Sequence, residues 1–192
     1  TLFETSLVLC ADLSLQTLLA KLLALTKDVL GAEASSVMLL DQSTSRLYWE
    51  VTEGGASSTA LKGMTLPVGE GIAGAVAQTG KAIIVADARG DPRVAKRVDA
   101  ATGFQTRSIL CVPIRFKGAV IGVIQVLNKA EGTFTEQDQE LLELIAAEAG
   151  VAIENAQLYG TLEERVRLRT KELADANTQL TEALNELKQT QT

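Results

Sequence analysis

The chain has 192 residues, of which 46% are hydrophobic and 22% are charged, so it can bury the core of one domain of roughly 100 to 150 residues and leave a further segment. Its formal net charge of -6, without a Lys/Arg block, argues against nucleic acid as a partner. Because it has no histidine, it cannot form a Ser-His or Cys-His nucleophile, a His-ligated haem or most kinds of zinc site.

No stretch of the sequence indicates a membrane or secretory segment. The apolar runs fall short of the roughly 18 to 20 residues that a spanning helix needs, so we expect no membrane insertion. The start at Thr1, without a methionine or a signal-like pattern, indicates a fragment of a longer protein. Cys10 and Cys111 lie far apart in apolar surroundings, which predicts buried thiols, no disulfide and a cytoplasmic location.

The N-terminal segment, residues 1–31, has the spacing of an amphipathic helix. Asp12 or Ser14 can cap its start, Gly31 can end it, and residues 2–10 can extend it toward the N-terminus. The residues that follow the i, i+3, i+4 spacing, and are therefore predicted to form one buried face, are Leu15, Leu18, Leu19, Leu22, Leu23, Thr26, Val29 and Leu30.

The middle of the chain predicts strands with short helices between them. Strands are predicted at 35–41, 46–53, 60–68, 81–87, 107–116 and 119–129. Helices are predicted at 71–80 and at 91–103, the second with Pro92 at its first position. Consecutive strands joined by short links imply an antiparallel sheet flanked by helices, so the predicted fold class is α+β.

From Thr135 onward the sequence predicts one long helix with a coiled-coil seam. A heptad pattern runs through Leu162, Val166, Arg169, Leu173, Ala176, Leu180, Ala183 and Leu187. Its other faces are charged, so the seam needs a partner helix. We favour parallel pairing of two copies; antiparallel pairing and pairing with the N-terminal helix remain alternatives. Residues 156–192 are assigned to this coiled-coil linker.

A glycine pattern in the middle of the chain resembles a dinucleotide fingerprint. Gly69, Gly71 and Gly74 have the G-x-G-x-x-G spacing. The helix that follows is too short, and the next strand comes too soon, for a βαβ crossover, so we reject dinucleotide binding. The free amides of Gly71, Ile72 and Ala73 at a helix start would still form a local site for an anion.

Several segments in a fixed order resemble a GAF domain, a ligand-binding sensory module, over roughly Leu15 to Leu158. They are GIAG, DPR, VDAATGF, TRSILCVPI and AVIGVIQVLNK. Asn128, Lys129, Phe134 and Asp138 fit the N-K-x(n)-F-x(3)-D-E motif of GAF domains in cyclic nucleotide phosphodiesterases and related cyclases, although Gln139 replaces the final Glu. The resemblance implies a sensory domain over 32–155, in which Lys129 and Asp138 form a structural salt bridge near the ligand.

The same resemblance implies a set of ligand-binding residues and no catalytic or metal site. The positions are Ser36, Glu53, Ile72, Ala73, Asp99, Thr102, Thr106 and Gln125, with cyclic AMP or cyclic GMP as the candidate ligand and no certain cofactor. Ala95 stands where an aromatic or amide residue is common. The polar residues of 98–106 are then expected to form a lid over a pocket. Bilin and haem are disfavoured because their attachment usually needs histidine.

The C-terminal helix is similar to linkers that join bacterial sensory domains to histidine kinases, and less often to cyclases. We therefore expect the input region of a bacterial sensor histidine kinase, dimeric through its N- and C-terminal helices. The alternative is a dimerisation scaffold without a physiological ligand. An enzyme has the least support, because the candidate groups include no base near neutral pH and Cys111 lies in an apolar strand.

Overall fold

A computed structural model describes the backbone of residues 2–55 and 58–190, and the side chains of residues 15–55 and 59–182. The helices are α1 (Leu2–Leu30), α2 (Ser58–Leu61), α3 (Gly71–Thr79), α4 (Lys96–Thr102) and α5 (Glu136–Thr190). The strands are β1 (Ala32–Asp41), β2 (Arg46–Glu53), β3 (Thr65–Pro67), β4 (Ile83–Val85), β5 (Ile109–Phe116) and β6 (Ala119–Lys129). The chain divides into two units, Thr1–Glu154 and Asn155–Thr192.

The first unit is built on a six-stranded sheet in the order β3-β2-β1-β6-β5-β4, and every pair of neighbours is antiparallel. The predicted α+β class, with an antiparallel sheet, flanking helices and a long C-terminal helix, is confirmed. Two tight connections, 42–45 and Lys117–Gly118, join the strong strands, and Ser45 and Lys117 accept positive φ values of 53° and 48° in them.

Both faces of the sheet are covered, which explains the nearly continuous apolar runs in its central strands. On one face, Leu19 and Leu23 of α1 and Leu142, Ala146 and Ile153 of α5 belong to one buried cluster with residues of β1, β5 and β6. On the other face, residues of α3 and of the strands form a second buried cluster. It contains Ile72, Ala73 and Val76 of α3 with Met38, Cys111 and Val123 of the sheet.

A bulge in β2 changes which side chains face α3. Met38 pairs with Trp49 and Val37 pairs with Val51, so Glu50 is an extra residue with no partner across the strand. Because side chains alternate along a strand, the extra residue reverses the alternation after Trp49. Trp49 accordingly packs in the cluster with α3, whereas Val51 packs in the cluster with α1.

Several predicted element boundaries were wrong. Helix α1 runs through Asp12 and Ser14, so neither residue caps it, and the extension over residues 2–10 is helical. Of its predicted buried face, Leu18 and Val29 are exposed. The side chain of Cys10 lies outside the described residues. The remaining thiol, Cys111, is free and fully buried, and burial raises its pKa, so it is a neutral core residue.

The middle of the chain contains less strand and less helix than predicted. Instead of one strand over 60–68, the chain ends α2 and turns at Gly63, whose φ is +81°, before the short β3. Strand β4 covers only part of 81–87. Pro92 precedes helix α4 and lies outside it, because the carboxylate of Asp91 accepts the backbone N–H of Arg93 at 2.8 Å and holds a turn there.

The four motif residues Asn128, Lys129, Phe134 and Asp138 connect the end of β6 to the start of α5. Lys129 forms an ion pair with Asp138, and its ammonium lies 5.7 Å from the centroid of the buried Phe134 ring. Asp138 also accepts the backbone N–H of Thr135 at 2.8 Å, immediately before the helix. The predicted salt bridge is therefore present.

The second unit consists of the part of α5 from Asn155 onward. In it, Leu162, Val166, Leu173 and Leu180 expose about half or more of their surface, as a seam that needs a partner would. The side chains of Ala183 and Leu187 lie outside the described residues, and the pairing stays a prediction. None of the helices within 2–55 and 58–190 is both long and apolar enough to cross a bilayer.

We predict that Asp138→Asn lowers the free energy of unfolding by about 2 kcal/mol at pH 7, because it leaves the half-buried Lys129 without its anion. Burial of Asp138 opposes ionisation, but hydrogen bonds from Lys129 and Thr135 outweigh it and hold the pKa below its ordinary value of 3.8. A carboxylate with a depressed folded pKa stabilises the protein above its unfolded pKa, and this contribution is lost as the pH falls through the folded pKa.

Urea unfolding at pH 7 and at about pH 3 should therefore show a smaller difference between Asp138→Asn and wild type at the acidic pH. Glu131→Gln is the control, since it neutralises an exposed carboxylate of the same loop that has no ion pair among the described residues. A difference that is equal at both pH values would contradict the ion pair's contribution.

Candidate ligand-binding cavity

A cavity lies between the α3 side of the sheet and the segment 94–106. Its volume, counted with the open mouth and the solvent space there, is about 690 Å³. All of the predicted ligand-binding positions except Glu53 line it, namely Ser36, Ile72, Ala73, Asp99, Thr102, Thr106 and Gln125. The fold thus gathers residues from four separate elements and one loop around one space.

The polar part of the cavity floor is a row of three side chains on neighbouring strands. Ser36 of β1 pairs in register with Thr52 of β2 on one side and with Gln125 of β6 on the other. The Nε2 of Gln125 donates to the hydroxyl of Ser36 at 3.0 Å. All three side chains line the cavity, because the bulge at Glu50 turns Thr52 toward the α3 side.

Apolar groups form most of the remaining surface. Ala34, Leu127 and Ile109 pair in register on β1, β6 and β5, and they line the floor beside the polar row. Two aromatic residues, Trp49 and Phe104, also line the cavity, and Trp49 is the chain's only tryptophan. The aromatic contact that Ala95 does not supply is therefore available from other positions.

The start of α3 presents backbone amides to the cavity. Gly71 adopts a φ of +69°, and Glu70 before it makes no side-chain capping bond. The first helical hydrogen bond is from the N–H of Gly74 to the carbonyl of Glu70, at 3.1 Å. The N–H groups of Ile72 and Ala73 precede it, in the first turn, where a helix leaves donors without intrahelical partners.

The polar residues of 98–106 line the cavity but bond mainly to one another. Asp99 accepts the hydroxyl of Thr106 at 2.7 Å on one carboxylate oxygen and the backbone N–H of Thr106 at 2.9 Å on the other. Thr102 donates to the carbonyl of Val98 at 2.9 Å and accepts the N–H of Phe104 at 3.3 Å. These bonds close the loop that follows α4.

Helix α4 and the loop after it cover the cavity and include the predicted lid residues 98–106, and Arg97 connects this lid to the opposite rim. The guanidinium of Arg97 lies 2.8 Å from the carboxylate of Glu70 and donates at 3.0 Å to the carbonyl of Thr65. Glu70 directly precedes the amides of α3. Since α4 has no fully buried residue, this polar contact adds to the partial packing of Val98 against the core.

Glu53 does not line the cavity, and this correction follows from the bulge in β2. Without an extra residue, Glu53 would share the face of Trp49; with Glu50 inserted, that face is taken by Thr52. Sequence analysis missed Thr52, Trp49 and Phe104. A bulge has no compositional signal in β2, and only the aromatic character of the two rings could have indicated them.

The cavity carries little charge. Asp99 is the only ionisable side chain among its lining residues, and none of the lining residues is a lysine or an arginine. Among the described residues, no cluster of His, Cys, Asp and Glu is arranged to hold a metal ion. What the site offers a ligand is therefore hydroxyls, one amide, backbone N–H groups and apolar contact.

Comparisons with known proteins give one family model, curated relatives and solved structures of the same fold. A family model described as GAF domain matches residues 14–153. The probable 3',5'-cyclic phosphodiesterase pde-5 of Caenorhabditis elegans is 31% identical over 186 residues, which cover 91% of this chain and 26% of the relative. The dual 3',5'-cyclic-AMP and -GMP phosphodiesterase 11A of Takifugu rubripes is 32% identical over 191 residues, which cover 94% of this chain and 20% of the relative.

The chain thus spans about a quarter or less of the length of these relatives. Among solved structures, the GAF domain of a phosphoenolpyruvate-protein phosphotransferase (ptsP) from Coxiella burnetii superimposes with a TM-score of 0.70. It is 21% identical, and the match covers 83% of this chain and 96% of that one. At this identity the likeness concerns the fold.

We predict that Arg97→Ala loosens the lid. An exposed ion pair contributes up to about 1 kcal/mol, so amide hydrogen exchange in residues 96–103 should become about two- to five-fold faster. Arg93→Ala is the matched control, because Arg93 precedes the same helix but its side chain bonds only to Asp91. Exchange in the lid that is unchanged by Arg97→Ala, or equally changed by Arg93→Ala, would show that Arg97 does not hold it.

Proposed function

This chain belongs to the GAF domain family, and from that premise we propose that it is a regulatory input domain that binds a cyclic nucleotide under α4. The observation that supports this most directly is the convergence of Ser36, Gln125, the amides of α3 and the lid residues on one cavity. The names of the curated relatives point to the same ligand class, since they are phosphodiesterases of cyclic nucleotides.

The charge of the site suits a ligand with a single negative charge. No lysine or arginine lines the cavity, so a phosphate would be received by neutral donors, chiefly the N–H groups of Ile72 and Ala73 at the helix start. A cyclic phosphodiester carries one charge and is compatible with this arrangement. A nucleoside triphosphate carries several charges and would be left without cationic partners.

The proposed signal passes from the cavity floor to the final helix. Strand β6 carries Gln125 in the floor and Lys129 at its end, and Lys129 pairs with Asp138 in the first turn of α5. A ligand that shifts β6 or the lid would favour one of two packings of α5 that differ by a few kcal/mol. Non-catalytic regulation of this kind needs no catalytic residue in the segment.

For the output we propose a bacterial sensor histidine kinase in the cytoplasm, on the basis of the C-terminal helix pattern. We further propose a homodimer formed through the N- and C-terminal helices. Leu18, Leu25 and Val29 of α1 are substantially exposed, as are Leu144 and Val151 of α5, and a second copy would cover such residues.

One observation favours the alternative, a dimerising scaffold without a ligand. Asp99 and Thr106 bond to each other, and Thr102 bonds to the backbone of Val98 and Phe104, so these side chains need no ligand to satisfy their hydrogen bonds. The sensor and the scaffold differ in whether the cavity is ever filled, and a direct binding measurement separates them.

We expect calorimetric titration to detect saturable binding of cyclic AMP or cyclic GMP, and Val98→Trp to abolish it. Val98 lines the cavity from α4, and an indole at that position would fill the space that a ligand needs. Ala100→Trp is the control, because Ala100 lies on the exposed side of the same helix and does not line the cavity.

If neither nucleotide binds wild-type protein, the cyclic nucleotide proposal fails. If Val98→Trp binds as tightly as Ala100→Trp, the ligand occupies another place. Urea unfolding of both variants checks that each is folded, which we expect because α4 contributes no fully buried residue to the core.

The proposed coil predicts that the double variant Leu173→Asp/Leu180→Asp is monomeric in sedimentation equilibrium. Both leucines are exposed in the isolated helix and occupy the same heptad position, so two carboxylates there would be buried in a parallel pair. Ala174→Asp/Thr181→Asp adds the same charge one residue away from the seam and should remain dimeric. A dimeric mass for the leucine variant would exclude pairing through this seam.

A further inference from the structure

Building on the proposed function, we infer that Thr52 in the cavity floor, together with Ser36 and Gln125, determines which ring the domain accepts. The ligand class is a planar heteroaromatic ring with hydrogen-bonding groups along one edge. The lid residues 99–106 would then close over the ligand without discriminating between rings.

The floor keeps hydrogen-bonding capacity that nothing in the described part of the protein uses. Among the described residues none bonds to the hydroxyl of Thr52, although its side chain lines the cavity. Ser36 accepts a hydrogen bond from Gln125, which leaves its own proton available, and the side-chain carbonyl oxygen of Gln125 is not engaged in that bond. A hydroxyl can donate or accept, so this row can adapt to either kind of edge.

The lid hydroxyls, by contrast, have already donated their protons within the loop. Both carboxylate oxygens of Asp99 accept bonds from Thr106, and the hydroxyl of Thr102 both donates and accepts within the same loop. A ligand acceptor could gain a bond from these hydroxyls only by breaking one of equal kind, which yields little net free energy. Discrimination between rings therefore depends on the floor side chains, which still have hydrogen-bonding groups available.

The spacing of the row fits the edge of a ring. Directly opposite side chains on neighbouring antiparallel strands have Cβ atoms about 4.5 to 5.5 Å apart, so three in a row extend over about 10 Å. Trp49 lies on the same side of β2, across the bulge from Thr52, and its indole provides a flat apolar surface beside the row. The row can contact the edge of a ring while the indole contacts the ring's face.

Thr52 is the one member of the row that is not among the ligand-binding positions implied by the family resemblance. It faces the cavity because Glu50 is inserted into β2, which moves Glu53 to the opposite side. Its methyl group and hydroxyl make it a matched target, since valine replaces only the hydroxyl and serine removes only the methyl group.

The test measures dissociation constants of cyclic AMP and cyclic GMP for wild type, Thr52→Val, Thr52→Ser and Thr106→Val, by Trp49 fluorescence and calorimetry. We expect Thr52→Val to raise the dissociation constant of the preferred nucleotide by about three- to ten-fold and that of the other by less than two-fold. The ratio of the two dissociation constants therefore changes. Thr52→Ser should keep the wild-type ratio. Thr106→Val should weaken both nucleotides by a similar factor, because it loosens the lid.

The inference is overturned if Thr52→Val leaves the ratio within two-fold of wild type, or if Thr106→Val changes the ratio as much as Thr52→Val does. If neither cyclic nucleotide binds wild type, the proposed function fails, and adenosine and guanosine are titrated instead with the same variants. A ratio that depends on Thr52 with these nucleosides would support the inference without the cyclic phosphate. The absence of binding by all four compounds would overturn both.

Discussion

The hydrogen bonds of the Asn128 side chain hold the first unit together around the cavity. Asn128 is buried and adopts a φ of 57°, which asparagine tolerates better than most residues. Its Nδ2 donates to the carboxylate of Glu33 and to the carbonyl of Gln105, each at 2.8 Å, and its Oδ1 accepts the N–H of Arg107 at 2.6 Å. One amide thus joins the end of β6, the start of β1 and the loop that follows the lid.

The consequences reach both sides of the sheet. The loop after α4 is held where Thr106 can bond to Asp99, so the far wall of the cavity has a fixed position. Lys129, the next residue after Asn128, pairs with Asp138 and fixes the start of α5. The same short segment therefore determines the shape of the site and the place where α5 begins, which is a physical reason for the motif to combine these residue types.

The sequence predicted the parts of the fold that depend on apolar pattern, and missed those that depend on one extra or one strained residue. The strands around Val37, Cys111 and Ile124 were predicted because both faces of the sheet are covered and their apolar runs are long. The short β3 was overestimated because a positive φ at Gly63 ends an otherwise suitable segment. The bulge at Glu50 left no trace in composition, and the error over Glu53 followed directly from it.

The proposed coil contains its own point of weakness. Arg169 occupies a core position of the heptad pattern, and in the single chain its guanidinium bonds to Glu172 at 3.0 Å on the exposed surface. If two copies pair through this seam, each guanidinium must either turn outward or be buried. Burial costs several kcal/mol unless a carboxylate is buried with it as an ion pair. Leu173 and Leu180 favour a tight pair on one side of this position, whereas Arg169 opposes it. A seam with such opposed contributions can have two packings of similar free energy, and a regulatory helix needs that property more than it needs maximal stability.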